Sequence, residues 1–163
     1  MTTPKNILIT GGTGLIGRLI QEEAKKRGHS VRVLTSTKEK ANQTDTFYWN
    51  IEKKFIDPLT FKSIDTVIHL AGEPLAKGRW TPYQKQKIFD SRYLGTKLLV
   101  DHIIKNNHPV STFVGSSAVG FYPVNSGTEH KETDTPGKGF LSTVCQHWER
   151  PYMTLQEFGV STS

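Results

Sequence analysis

The sequence predicts an α/β protein with a doubly wound parallel sheet, on three observations. Short apolar runs alternate with helical stretches along the chain, which is typical of parallel strands joined by right-handed crossovers. A glycine-rich turn at residues 11–17 connects the first predicted strand to the first predicted helix. The 163 residues contain no internal repeat, linker or low-complexity tract, so we expect a single domain.

Five apolar runs are predicted to be strands, and a sixth begins where the sequence stops at Ser163. The five cover residues 7–10, 31–35, 46–50 (the weakest), 66–70 and 111–116. Gly159 and Val160 introduce the sixth. We therefore expect a sheet of the Rossmann type, truncated after about five strands.

Three helices are predicted between these strands. The first covers residues 15–27, and its apolar stripe consists of Leu15, Ile16, Leu19, Ile20 and Ala24. The longest begins with Thr81 as N-cap and Pro82 in the first position, with Gln84 completing a capping box, and runs to residue 106 or 107. The last covers residues 140–157 with a distortion at Pro151. Residues 57–61 are expected to form a short helix or turn, and residues 120–137 a long loop.

The glycine turn points to a dinucleotide ligand because of where it lies. Gly11 permits a tight turn, Gly14 lets the backbone approach a pyrophosphate, and Gly17 lets the helix pack on the strand. The N-terminus of the helix adds unpaired N–H groups and a partial positive charge. The alternative is a glycine-rich connection that binds nothing. The predicted contacts of the turn are Gly11, Thr13, Gly14, Leu15, Ile16 and Gly17.

The end of the second strand favours NADP(H) over NAD(H). An acidic residue at this place binds the ribose hydroxyls of NAD, but no acid occurs here before Glu39. The hydroxyls and the lysine present would instead accept a ribose 2′-phosphate; they are Thr35, Ser36, Thr37 and Lys38. NAD(H) stays the alternative. Further cofactor contacts are expected from the next two strand ends, at Asn50, Ile51, Leu70, Ala71, Gly72 and Glu73.

Composition excludes several other classes of protein. The formal net charge is +6, which suits a polyanionic ligand, but the basic residues are dispersed and not interleaved with aromatics. We therefore expect no nucleic-acid partner. The single cysteine, Cys145, excludes an intramolecular disulfide, and the six histidines lack ligand spacing, so no metal site is predicted. With neither a signal peptide nor an apolar span of membrane length, we expect a cytoplasmic protein with no membrane partner.

Several further motifs carry a family resemblance that covers nearly the whole chain. Together with the glycine turn, they resemble the atypical extended short-chain dehydrogenase/reductases, the epimerase-like subgroup of unknown substrate. The Arg-Trp-Thr, Ser-Arg and Cys-x-x-Trp-Glu elements are more specific than the turn. The motifs are His69-Leu70-Ala71-Gly72-Glu73, Arg79-Trp80-Thr81, Ser91-Arg92-Tyr93-Leu94-Gly95-Thr96, Ser116-Ser117-Ala118-Val119-Gly120-Phe121-Tyr122, Phe140-Leu141 and Cys145 through Trp148-Glu149.

The resemblance implies a catalytic set that departs from the ordinary family pattern. Ordinary extended members use a Ser or Thr after the fifth strand, an Asn on the long helix and a Tyr-x-x-x-Lys pair on the next helix. Here Ser117 or Ser116 matches the serine, and Arg92 stands for the asparagine. Leu141 and Cys145 occupy the tyrosine and lysine positions. The implied candidates are thus Ser117, Ser116, Arg92 and Cys145.

Arg92 and Cys145 could form a working pair. Leu141 cannot shuttle a proton, and Cys145 could act as acid, base or nucleophile only with a lowered pKa, for which Arg92 is the candidate cause. Arg92 shares an apolar helix face with Ile88 and needs a partner: a cofactor phosphate, a substrate carboxylate or a thiolate. Arg92 is therefore also a candidate cofactor contact. The alternatives are a buried inert Cys145, a snorkelling Arg92 and a Ser117 that only bonds backbone.

The resemblance also implies what the chain does as a whole. Related proteins are considerably longer, and their second half supplies a substrate domain. We expect residues 1–163 to be the NADP(H)-binding part of an oxidoreductase or nucleotide-sugar-epimerase-like protein of unknown small-molecule substrate, inactive alone. A homodimer is expected through an exposed sheet edge. The alternative function is a non-catalytic dinucleotide-binding redox sensor or interaction module.

Overall fold

A seven-stranded sheet forms the centre of the computed structural model, which describes residues 3–124 and 129–163. Its order is β4-β3-β2-β1-β5-β6-β7, and every neighbouring pair is parallel except β3 and β4. The Rossmann-type class is confirmed. The sheet has more strands than expected because two-residue strands stand at both edges. The strands are β1 Asn6–Thr10, β2 Ser30–Thr35, β3 Thr46–Asn50, β4 Phe55–Ile56, β5 Thr66–His69, β6 Thr112–Gly115 and β7 Ser161–Thr162.

Three α-helices connect the strands, close to the predicted bounds. The last one is shorter than predicted, because the α-helix ends two residues after Pro151 and continues as a 3-10 helix. Pro151 lacks the N–H that would continue the α-helical ladder. The α-helices are α1 Leu15–Lys26, α2 Pro82–Lys105 and α3 Phe140–Met153; the 3-10 helices are Lys38–Asn42, Val119–Phe121 and Thr154–Phe158.

Both faces of the sheet are covered, as a doubly wound fold requires. Leu8 of β1 enters a large core cluster with residues of α2 and α3, whereas its neighbours Ile7 and Ile9 enter a smaller one with Ala24 of α1. This alternation is the two-residue period of a strand. The carboxyl ends of β1, β2 and β5 therefore meet between the two helical layers.

Most residues of the predicted apolar stripe of α1 do not face the core, so this prediction is wrong for them. Leu15, Ile16 and Leu19 are 72%, 61% and 56% exposed, and Ala24 is the buried residue of the stripe. Gly17 is also buried, and an added Cβ there would lie 2.5 Å from the Gly11 carbonyl oxygen. The helix thus approaches the sheet through small residues and through Ile20, which packs against the smaller core cluster, whereas Leu15, Ile16 and Leu19 point away from the core.

The start of α2 confirms the predicted N-cap but not the capping box. The hydroxyl of Thr81 accepts a hydrogen bond from the Gln84 N–H at 3.2 Å, and Pro82 follows the cap. The Gln84 side chain does not return to the N–H of Thr81, which donates to the Arg79 carbonyl. It points instead to the Glu73 carboxylate, 3.5 Å away.

The predicted loop at residues 120–137 begins within a 3-10 helix, and its residues 125–128 lie outside the described residues. Residues 57–61 form turns. No helix within residues 3–124 and 129–163 combines the length and the apolar character needed to cross a membrane.

Candidate functional site

The three motif glycines meet different physical demands. Gly11 has φ +70, and a Cβ there would lie 2.9 Å from the Leu70 carbonyl carbon, so the turn and the end of β5 both require glycine. Gly17 is required by helix packing. Gly14 has φ −77 and ψ 173, a conformation open to any residue. A Cβ on Gly14 would meet the Gly11 oxygen alone, at 3.3 Å. The fold itself therefore places the weakest demand on Gly14, whose free side faces a cavity.

The N-terminus of α1 is suited to an anion. Gly14 is its N-cap, no side chain caps it, and its first turn contains no acidic residue. The first N–H groups of a helix have no partner within the helix, and the helix dipole adds partial positive charge there. These two properties together make a phosphate site.

A cavity of about 250 Å³ lies at the carboxyl ends of β1, β2 and β5. Ligands of open α/β sheets bind in this crevice. Nine of the predicted cofactor residues line it: Gly11, Thr13, Thr35, Ser36, Thr37, Ile51, Ala71, Gly72 and Glu73. It is also lined by Leu34, Trp49 and Ser91.

Two further cavities contain most of the remaining predicted contacts. One of about 280 Å³ is lined by Gly11, Gly14, Leu15, Ile16, Gly17, Leu70 and Ser116. Another of about 670 Å³ is lined by Lys38, Glu39, Ala41, Tyr48, Asn50, Lys53, Phe55 and Asp57. Gly11 lines two of the three cavities. The glycine turn therefore lies between the cavity at the end of β2 and the cavity that contains Ser116.

The end of β2 presents hydroxyls and a lysine. The Thr37 N–H donates to the Thr35 hydroxyl at 3.2 Å, and the Lys38 ammonium lies 5.6 Å from the centre of the Tyr48 ring. Glu73, which follows β5, is the carboxylate that lines the 250 Å³ cavity. Among the described residues at the β2 end of that cavity, none is acidic.

A buried chain of polar side chains supports the cavity from below. His69 at the end of β5 is 0% exposed. Its two ring nitrogens contact the hydroxyls of Thr10 in β1 and Thr96 in α2, at 2.6 and 2.9 Å. The chain connects two strand ends to the helix that carries Arg92.

Arg92 finds its partners within the protein. Its guanidinium carbon lies 4.8 Å from the centre of the Trp148 ring, and Nη1 donates to the carbonyls of Glu73 at 3.0 Å and Ile88 at 3.3 Å. Burial lowers the pKa of Arg92, opposed by the charges of Cys145 and Glu73. A Cβ on Gly72 would lie 3.0 Å from the guanidinium carbon, so Arg92 packs behind the cavity wall.

Cys145 is not activated by Arg92. Its thiol is buried, and Sγ lies 3.8 Å from the Ala118 carbonyl. Burial raises the pKa of Cys145 and the charge of Glu149 raises it further; hydrogen bonding with Ala118 and Ser117 and the charge of Arg92 lower it by less. The expected effect of Arg92 is present but is outweighed, so Cys145 is a neutral thiol at neutral pH.

The two serines after β6 have different surroundings. Ser116 lines the 280 Å³ cavity beside Gly14, and its N–H donates to the His69 carbonyl at 3.1 Å. The Ser117 hydroxyl donates to a carboxylate oxygen of Glu149. Glu149 was absent from the residues predicted for the site. The signal that could have found it is helical spacing, because Glu149 lies four residues after Cys145 and eight after Leu141.

The chain belongs to the NAD dependent epimerase/dehydratase family, whose model matches residues 7–143. An epimerase family protein of Staphylococcus haemolyticus is 34% identical over 157 residues, which are 95% of this chain and 52% of that protein. A Staphylococcus aureus epimerase family protein is 33% identical over 156 residues, with the same coverage of 95% and 52%. The chain therefore spans about half the length of these curated relatives.

Solved structures show the same fold. The nucleoside-diphosphate sugar epimerase of Corynebacterium glutamicum is 27% identical with a TM-score of 0.80, over 98% of this chain and 33% of that one. The human epimerase family protein SDR39U1, solved with NADPH, is 26% identical with a TM-score of 0.77, over 90% of this chain and 48% of that one. MoeE5, solved with UDP-glucose and NAD, has a TM-score of 0.77 at 21% identity, over 97% of this chain and 52% of that one.

Proposed function

We propose that this chain binds a nicotinamide dinucleotide, with its pyrophosphate at the N-terminus of α1. The observation that carries the proposal is the uncapped helix N-terminus behind a glycine whose free side faces a cavity. Structural neighbours bound to NADPH or to NAD support the ligand class. The adenosine would lie toward β2, and the nicotinamide toward Ser116.

The proposed form of the ligand is NADP(H), with NAD(H) as the alternative. The four residues at the end of β2 are neutral or basic, namely Thr35, Ser36, Thr37 and Lys38, and the acidic Glu39 follows them in the cavity that Lys38 lines. Hydroxyl and ammonium groups stabilise a 2′-phosphate, whereas a carboxylate in that place would repel it. The NADPH bound to human SDR39U1 supports the same choice.

The proposed reaction is an oxidoreduction, or an epimerisation that passes through an oxidised intermediate. A bound nicotinamide ring supplies the hydride chemistry, and the protein supplies orientation and proton transfer. Ser116, which lines the cavity beside Gly14, and the next residue, Ser117, whose hydroxyl donates to Glu149, support this proposal. The substrate is an unidentified small molecule, and the activity proposed is that of the whole protein.

A second candidate function is a dinucleotide-binding module without catalysis. It is favoured by Leu141 and the neutral thiol of Cys145 at the positions where ordinary family members have tyrosine and lysine. Such a protein would report the redox state of the nucleotide pool through a partner. Following nicotinamide absorbance with a panel of carbonyl compounds, in a full-length version of the protein, separates the two functions, because a sensor would not oxidise the reduced cofactor.

Calorimetric titrations with NADPH, NADH, 2′,5′-ADP and 5′-ADP test the proposal. We expect NADPH to bind more tightly than NADH, and 2′,5′-ADP more tightly than 5′-ADP, since each pair differs at the 2′-phosphate. Equal affinities within both pairs would remove the NADP(H) preference. No binding of any of the four would overturn the proposed function.

A further inference from the structure

Glu149 lies on the helix face that turns toward the end of β6. It follows Cys145 by one helical turn, and Cys145 contacts the Ala118 carbonyl in the segment after β6. The same segment contains Ser117, whose hydroxyl donates to the Glu149 carboxylate across 32 positions of sequence. Two elements distant in the chain therefore bring a hydroxyl and a carboxylate into hydrogen-bond contact, one residue after Ser116, which lines the cavity at the candidate nicotinamide end.

The direction of this hydrogen bond leaves Ser117 able to accept a proton. A serine hydroxyl has one proton and two lone pairs. In the structure this proton is donated to Glu149, although the thiolate form of Cys145 would draw on the same hydroxyl. The side chain of Ser117 is exposed, so an incoming hydroxyl group can reach its lone pairs. A hydroxyl bonded in this way can take a proton only as it gives its own to the carboxylate.

The neighbouring ionisable groups are unsuited to the same task. Burial raises the pKa of Tyr152 to about 12, with the charges of Glu149 and Cys145 adding to the effect. Cys145 is a neutral thiol for the reasons given above, and Arg92 is a cation without an acceptor. Glu149 is therefore the base that the described surroundings of Ser117 provide.

We propose that Glu149 is the proton acceptor of this site and that Ser117 is the group through which it acts on a substrate hydroxyl. The inference rests on the proposed function. As the substrate O–H bond breaks, its proton moves to Ser117 Oγ and the proton of Ser117 moves to Glu149. The carbon of the alcohol becomes a carbonyl, and its C–H electron pair leaves as hydride to the oxidised nicotinamide of the proposed cofactor. Reduction of a carbonyl follows the same path in reverse.

Labelling of Ser117 by an alkyl phosphonofluoridate tests this pair without cofactor or substrate. In that reaction an O–P bond forms at Ser117, the P–F bond breaks, fluoride leaves, and the serine proton moves to Glu149. Mass spectrometry of peptides gives the rate. We expect wild-type labelling at Ser117, a rate lower on the order of 100-fold in Glu149→Gln, and partial recovery in Glu149→Asp.

Matched variants make the result specific. Ser117→Ala should take no label, and Glu157→Gln, which removes an exposed carboxylate from the next helical segment, should label like wild type. Thermal unfolding confirms that each variant is folded. Equal rates in wild type and Glu149→Gln, or a wild-type chain without label at Ser117, would overturn the inference. Titration of the wild-type chain with NADPH tests the proposed function separately, so the two failures are distinguishable.

Discussion

The hydroxyl oxygen of Thr10 lies 2.6 Å from Nδ1 of His69, in the interior between β1 and β5. On the other side of the ring, Nε2 lies 2.9 Å from the hydroxyl of Thr96. Thr96 donates its own proton to the Arg92 carbonyl at 2.7 Å, so it must accept from Nε2–H. Thr10 then donates to Nδ1. The arrangement specifies a neutral imidazole with its proton on Nε2.

His69 should make the protein less stable in mild acid. Burial lowers the pKa of His69 to about 3, with the charge of Arg92 adding to the effect, whereas an unfolded histidine titrates near about 6.5. A depressed folded-state pKa means that the stabilisation is complete above about pH 6.5 and is lost as the pH falls toward 3. We expect the free energy of unfolding in urea to fall by up to about 1.4 kcal/mol per pH unit in that window.

A His69→Gln variant isolates this contribution. His102 and His108 also have pKa values lowered by burial. They therefore contribute to the dependence of the unfolding free energy on pH in both the wild type and the variant. The variant should therefore show a shallower dependence on pH whatever its absolute stability. Parallel slopes would show that His69 is protonated in the folded protein.

Gly14→Val should abolish binding and leave folding intact. The backbone of Gly14 is extended, and an added Cβ would meet one protein oxygen, at 3.3 Å. The loss of affinity should therefore come from a clash between the valine side chain and the ligand. We expect the affinity for NADPH to fall about 100-fold or more, equivalent to about 3 kcal/mol. Gly17→Ala is the contrasting variant, because its Cβ would lie 2.5 Å from the Gly11 oxygen and should lower the melting temperature. A folded Gly14→Val that binds normally would place the site elsewhere.

Lys38→Ala should weaken the binding of NADPH and leave the binding of NADH unchanged. Lys38 follows the hydroxyls at the end of β2, and its ammonium is held near the Tyr48 ring. A charge-assisted hydrogen bond to a 2′-phosphate contributes about 1.5–3 kcal/mol, so we expect a loss of about tenfold or more for NADPH. Lys40→Ala is the matched control, since Lys40 is exposed in the same 3-10 helix. Equal losses of affinity for both nucleotides would show that Lys38 does not contact the 2′-phosphate.

Cys145 should react slowly with iodoacetamide at neutral pH. Its raised pKa leaves little thiolate, and the thiolate is the reacting form. Removing the nearby negative charge in Glu149→Gln should speed alkylation, and Arg92→Leu should slow it. Mass spectrometry over time measures all three rates. A thiol that reacts faster than free cysteine would restore the hypothesis of a pair activated by Arg92.

Self-association should involve α1 more than the β4 edge of the sheet. The edge strand β4 has two residues, so it offers few unpaired backbone groups. Leu15, Ile16 and Leu19 form an exposed apolar surface, which favours association with another copy. We expect light scattering across a dilution series to show a dimer that Leu19→Lys weakens. Leu59→Lys changes a leucine that is 61% exposed on another part of the surface, and it should leave dimerisation unchanged. A monomer at all concentrations would refute the prediction.

Local pattern determined much of this protein. The alternation of apolar runs predicted five of the strands, the Thr81-Pro82 pair located the start of α2, and the glycine spacing located the turn around Gly14. These features depend on residues within about one helical turn or one strand of each other. A two-residue strand such as Phe55–Ile56 has no period to detect.

Tertiary structure decided the chemistry of the site. Whether Leu19 is buried depends on how closely Gly17 lets α1 approach the sheet. Whether Cys145 is a thiolate depends on the balance between its burial and several charges. The contact between Ser117 and Glu149 joins residues 32 positions apart. Burial, charge balance and such contacts are properties of distance in space, which a linear pattern with a short period does not contain.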